Sequence, residues 1–298
     1  MDAEQLRQYG LRYRRYLSWL VPLGRYCPQW LWPMVQKTLG RALSPYISQE
    51  QSIRSGLAEV VGVEHSAAAW EAWLDSHSCF VRDFSRYHLL TPQMAQQHIP
   101  IVDTEVLDRL RAEGGLLLTY HTHHQNTLCC ALGLAGCKVY PIAGAPETSP
   151  VFPYVSKWAL QINRESARHF QGGEYLFIND MRHVARSVKK ALAEKNVVVC
   201  LSDFHQPNGN GMTFPLFSHQ ISPPTGVIDL AVRLRAPVYI GLCAPEGNHL
   251  QVRLHDLGIA DNVEDTVSAY IAHLQQACQN NPVCWQGWDW FNDLPQKA

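Results

Sequence analysis

Leu116–Asn126 reads LLLTYHTHHQN, and Thr127–Leu134 continues it as TLCCALGL. The apolar run Gly115–Thr119 is short enough for a buried strand, and the segment from Thr127 reads as a helix packed behind it. A strand fixes the backbone while the loop after it exposes side chains, so chemistry is commonly placed at such a junction. His121 is therefore the first candidate for a functional residue. Asn126 lies five positions further on, near the same junction.

Working outward from this unit, residues 1 to about 98 carry apolar positions every three or four residues, with helices expected around 4–20, 30–43, 49–61, 66–88 and 92–97. From about residue 99 short apolar runs alternate with helical ones. Strands are expected at Gly115–Thr119, Lys138–Ile142, Asn196–Leu201, Pro237–Leu242 and Leu250–Leu254, with helices near 127–135, 151–163, 181–194, 225–235 and 263–279. Such alternation implies crossover units and a mostly parallel central sheet flanked by helices. The fold class expected is α/β, one domain over 1–298 with a helical N-terminal layer over 1–98 and an α/β core over 99–298. In such sheets ligands sit beyond the carboxyl ends of the strands. Those loops are polar: TYHTHHQN after Leu118, AGAPETSP after Ile142 and SDFHQPNGNG after Leu201, which puts Asp203 and His205 on the same rim as His121.

The chain has 298 residues and is 46% hydrophobic, enough for a sizeable core. Lys plus Arg number 25 against 26 Asp plus Glu, a balance that argues against nucleic acid as a partner. The nine cysteines are odd in number, scattered, and set in apolar contexts such as VVVCL and IGLCA. They read as reduced core residues of a cytoplasmic protein. No stretch approaches the roughly 18 uninterrupted apolar residues of a membrane span, and the early charges Asp2, Glu4 and Arg7 argue against a signal peptide. Tyr13–Val35 interleaves Arg14, Arg15 and Arg25 with Trp19, Trp30 and Trp32. That pattern suits amphipathic helices covering a core, or a helix lying on the inner face of the cytoplasmic membrane as a peripheral contact.

Three chemistries fit the histidine run. His121, His123 and His124, with Asp203 and His205, resemble the opening of a binuclear metal-dependent hydrolase, although Gln125 and Asn126 stand where further ligands belong. Cys129 or Cys130 could act as a nucleophile, but both fall in an apolar segment where a small residue packs on a sheet. Ser202 lies in no GxSxG elbow. The third reading makes His121 a metal-free general base whose other ring nitrogen is held by a fixed acceptor, supplied by the carbonyl oxygen of Asn126.

Taken together, LLLTYHTHHQNTLCCALG and VVVCLSDFHQPNGNGMTFPLFSHQISPPTGVIDLAVRLRAPVYIGL resemble the bacterial lipid A late acyltransferases of the lysophospholipid acyltransferase superfamily. The likeness spans most of the chain, with PLGRYCPQW before these blocks and NPVCWQGWDWF after them in the expected order. It implies that His121 deprotonates an acceptor attacking an acyl thioester borne by acyl carrier protein or coenzyme A, with no cofactor and no metal. It also implies substrate-binding roles for Asp203, His205, Phe217, Thr225, Gly226 and His124. The chain departs from the family where Asn126 replaces an acidic residue, and where Trp290, Phe291, Asn292 and Asp293 lack the usual basic residues. Anionic phosphosugars are recognised mainly by Arg and Lys, so the expected acceptor is a small molecule or carrier-bound hydroxyl or amine instead of lipid A. The alternative of another class is a non-catalytic acyl-binding or partner-docking homologue that kept the fold.

Overall fold

The computed structural model describes residues 3–206, 212–246 and 249–297. Its centre is a six-stranded sheet built from β1 (Gly115–Thr119), β2 (Val139–Ala143), β3 (Leu176–Phe177), β4 (Val197–Leu201), β7 (Pro237–Glu246) and β8 (His249–Ile259), in the order β3-β2-β4-β1-β7-β8. All neighbours are parallel except β7 and β8, which pair antiparallel. β5 (Phe214–Leu216) and β6 (His219–Ile221) form a separate antiparallel hairpin. The α/β class read from the sequence is the class observed.

Side chains on a strand alternate between faces. Leu116 and Leu118 of β1, with Val198 and Cys200 of β4, join one hydrophobic cluster, while Leu117, Val197 and Val199 join another. Every residue of β1 is buried, which is why these strands read as continuous apolar runs instead of alternating ones. Two glycines, one before β1 and one at its first position, stand where the space requires them. Gly114 and Gly115 have φ of 64° and 141°, and a Cβ on either would collide with the backbone of Lys195 or Pro237.

The helical layer comprises α1 (Ala3–Tyr26), α2 (Trp32–Val35), α3 (Glu50–Val61), α4 (Ser66–Ser85) and α5 (Pro92–His98). α1 buries Tyr16, Leu17, Leu20 and Val21 in a third core cluster with Val81 and Phe84 of α4. Its amphipathic face thus covers core, while Trp19, Tyr26, Trp30 and Met34 remain exposed. The single helix expected over 30–43 is instead a 3-10 turn, α2 and a π turn at Gln36–Gly40. There the Gln36 amide bonds the Asp75 carbonyl, and Gly40 lies against Ser78.

The remaining helices are α6 (Thr104–Glu113), α7 (Gln125–Leu134), α8 (Phe152–Ala167), α9 (Met181–Ala193), α10 (Gly226–Arg233) and α11 (Val263–Asn280). α6 and the short strands β3, β5 and β6 are not among the expected elements. α6 buries only Leu110, so its apolar periodicity is faint. After α11 the chain makes three 3-10 turns at Pro282–Cys284, Gln286–Asp289 and Phe291–Asp293, which bury Trp285, Trp288 and Phe291. Among the described residues no helix is long and apolar enough to cross a membrane.

Candidate active site

β1 and β4 are adjacent and parallel, with Thr119 opposite Leu201. Two residues beyond each strand end stand His121 and Asp203, so the register delivers the pair at the same height above the sheet. His121 Nδ1 lies 2.7 Å from Asp203 Oδ1, and the His121 backbone N–H donates to Oδ2 at 2.8 Å. The indole N–H of Trp285 donates to the same Oδ2 at 2.7 Å. Asp203 is fully buried, and these three donors replace the water its carboxylate has lost. With Nδ1–H given to Asp203, Nε2 is left as the basic nitrogen.

The charge state of His121 is set by competition. Burial disfavours the imidazolium, but the charge and hydrogen bond of Asp203 outweigh it, Asp289 adds to them, and the pKa is raised above its ordinary value. The backbone around the pair is clamped from beneath. Tyr270 on α11 donates its hydroxyl to the Thr119 carbonyl at 2.6 Å and accepts from Ser202 N–H at 3.3 Å, joining the two strand ends. Tyr120 stacks on Tyr270 and bonds its carbonyl at 3.1 Å. Above the pair, Gln286 N–H donates to the His121 carbonyl at 2.7 Å.

His121 opens into a cleft of about 380 Å³ that it shares with Phe204, His205, Trp290, Asp293 and Leu294. Phe204 and Trp290 set their rings edge-on to the imidazole, with centroids at 6.0 and 5.4 Å. None of these lining residues is a serine, threonine, cysteine or lysine. Cys129 and Cys130 are buried, with burial pushing the Cys129 thiol up to about 12 and Cys130 well above the ordinary value.

Several expectations are corrected. Asn126 does not orient His121: it sits in the first turn of α7, where its Oδ1 accepts from the Tyr175 hydroxyl at 3.1 Å. The orienting oxygen comes from the neighbouring strand. Asp203, expected to touch substrate, is instead sealed behind the histidine. His124 is buried away from the cleft, 3.8 Å from Asp83 and with neither ring nitrogen hydrogen-bonded. His205 does line the cleft, with Nδ1 accepting from Ser222 N–H at 3.1 Å.

Phe217, Thr225 and Gly226 are not among the cleft-lining residues. Phe217 turns the β5–β6 hairpin at φ 53° and packs on Trp288 and Phe291. Thr225 is the N-cap residue of α10, and Gly226 has open space where a Cβ would stand.

The metal reading needed three converging histidines. His121 turns to Asp203, His123 bonds Ser76 at 3.2 Å, and His124 lies toward Asp83. No group of three or more His, Cys, Asp or Glu side chains among the described residues could hold a metal ion.

Trp285 is the residue that sequence reasoning missed. Its signal was the aromatic density of CWQGWDWF, which was read as a family feature and not as a source of hydrogen bonds. No protein-family model matches this chain, and the search of curated proteins finds no match either.

Proposed function

We propose that this protein is an acyltransferase that moves an acyl group from a thioester, on acyl carrier protein or coenzyme A, to a hydroxyl or amine acceptor. One observation carries the reading: a histidine paired with a sealed carboxylate faces a cleft whose described lining residues include no serine, threonine, cysteine or lysine. A base placed so acts on a proton brought by a substrate. His121 Nε2 takes the proton of the acceptor as its oxygen or nitrogen bonds to the acyl carbon. The tetrahedral intermediate then collapses with cleavage of the C–S bond, and the leaving thiolate receives that proton.

The resemblance to lipid A late acyltransferases supports the same reaction class. The absence of Lys and Arg among the described cleft-lining residues argues against an anionic phosphosugar acceptor. The exposed Trp19, Tyr26, Trp30 and Met34, with Arg14, Arg15 and Arg25 nearby in sequence, suit peripheral contact with the cytoplasmic face of a membrane.

The test is thioester consumption and acylated product, followed by mass spectrometry with hexanoyl- and dodecanoyl-coenzyme A, the corresponding acyl carrier protein thioesters, and panels of alcohols and amines. Acceptor-dependent transfer is expected. His121→Ala should lower it by about 100-fold or more with an unchanged circular dichroism spectrum. Undiminished transfer by the folded variant overturns the assignment of the base.

A further inference from the structure

Among the described residues, the ionisable side chains that line the cleft are His121, His205 and Asp293. Asp289 is the last residue of the turn Gln286–Asp289, whose first residue bonds the His121 carbonyl. Its Oδ1 is buried without a hydrogen-bond partner. The turn that bears it is fixed at its first residue, where the Gln286 backbone N–H bonds His121 and the Gln286 side-chain amide bonds the Tyr46 hydroxyl at 3.2 Å.

No Lys or Arg is among the described groups that act on the Asp289 carboxyl. The groups in electrostatic contact with it are His121, Asp293 and the hydroxyls of Tyr9, Tyr13 and Tyr46. The Tyr9 ring lies 6.0 Å from that of Tyr13 and 6.1 Å from that of Tyr46. Burial pushes the Asp289 carboxyl up to about 7, with His121 opposing and Asp293 adding to the rise. A buried carboxylate oxygen without a partner is costly until a donor reaches it. An ammonium group, with up to three N–H donors, suits such an oxygen.

We propose that Asp289, with Asp293 beside it on the lining of the cleft, forms a subsite for the protonated nitrogen of a primary-amine acceptor, so that the product is an amide. This rests on the acyltransferase reading and narrows its acceptor. The ammonium gives one proton to the Asp289 carboxylate, which releases it to solvent. The neutral amine then forms the C–N bond as the C–S bond breaks. Its second proton passes to His121 Nε2 and on to the thiolate, giving amide, thiol and one proton.

The experiment compares hexylamine with 1-hexanol, which match in length and differ in charge. Without donor, saturable quenching of tryptophan fluorescence should give at least ten-fold tighter binding of hexylamine to the wild-type protein, a comparison that needs no variant. Asp289→Asn, checked by circular dichroism, should abolish most of that preference, and Asp293→Asn should reduce it two- to three-fold. Equal binding of the two probes by wild type, or an undiminished preference in folded Asp289→Asn, overturns the subsite. With hexanoyl-coenzyme A added, hexanoyl amide should exceed hexanoyl ester by at least ten-fold. Equal amounts would overturn the subsite while leaving acyl transfer standing. Selective amine binding without thioester consumption would overturn acyl transfer while leaving the subsite standing.

Discussion

His121 and His124 lie three residues apart, and the fold gives them opposite environments. His121 has a carboxylate at 2.7 Å and opens to a cleft, so its pKa rises. His124 has no hydrogen-bond partner on either nitrogen, and burial pushes it down to about 3. His77, packed 5.2 Å from the ring of the equally buried His123, is pushed down to about 3 for the same reason. An imidazole becomes a base through its partner and its access to substrate, and a run of histidines fixes neither.

The largest effect should come from removing the difference at His121. Three donors converge on Asp203, and an amide offers only one acceptor oxygen, so Asp203→Asn sets an N–H against an N–H. The rate of acyl transfer should fall by about 10³–10⁴-fold, by analogy with carboxylate loss in a His–Asp pair. In the wild type the rate should rise with pH through a midpoint above 6.5, because the base works only when deprotonated and its pKa is raised. In the residual activity of Asp203→Asn that midpoint should move to lower pH, since burial then acts without its counterweight. An unmoved midpoint would show that Asp203 does not set the charge of His121.

A smaller loss is expected beneath the pair. Tyr270→Phe deletes the hydroxyl that joins Thr119 to Ser202. It should lower kcat by about ten-fold, a barrier change of roughly 1.4 kcal/mol, and leave KM nearly unchanged. A rise in KM at constant kcat would place Tyr270 in substrate binding instead.

His124→Leu should leave activity unchanged and raise stability by about 1 kcal/mol, because it removes a buried polar ring that has no hydrogen bond. The pH dependence of stability separates the two histidines further. A buried neutral His124 contributes stability that is present above pH 6.5 and lost as pH falls toward about 3. His121 contributes in the opposite sense, fully below 6.5 and progressively less as pH rises through its raised value. Acid denaturation of His124→Leu, followed by circular dichroism, should therefore be shallower than that of the wild type. The smallest effect belongs to Asn126→Ala, which should change kcat less than three-fold and leave the pH midpoint in place. A collapse would restore Asn126 to the catalytic corner.

The parts legible in the sequence were those governed by local pattern. Gly115–Thr119 falls where its apolar run predicted, and the five principal strands lie within a few residues of their expected bounds apart from the longer β7 and β8. His121 was visible because a strand ends just before it. Its partner was not, since the choice fell on Asn126 by nearness along the chain. The contact is instead set by strand register across 82 residues. The endings LLLTYH and VVCLSD carry the same two-residue offset beyond the strand, but only the pairing of β1 with β4 turns that coincidence into a contact. Trp285 was further out of reach, because its hydrogen bond depends on how three consecutive 3-10 turns fold back after α11.

Trp285 and Gln286 have a consequence for the order in which the chain is made. Residues 115–203 can emerge, pair their strands and bring His121 beside Asp203 while the last aromatic turns are still unsynthesised. Until Trp285 arrives, Asp203 lacks one of its three donors and the His121 carbonyl lacks the Gln286 N–H. A nascent chain at that stage lacks two of the hydrogen bonds that hold the His–Asp corner, and they form only once a segment more than 160 residues downstream of His121 has been made.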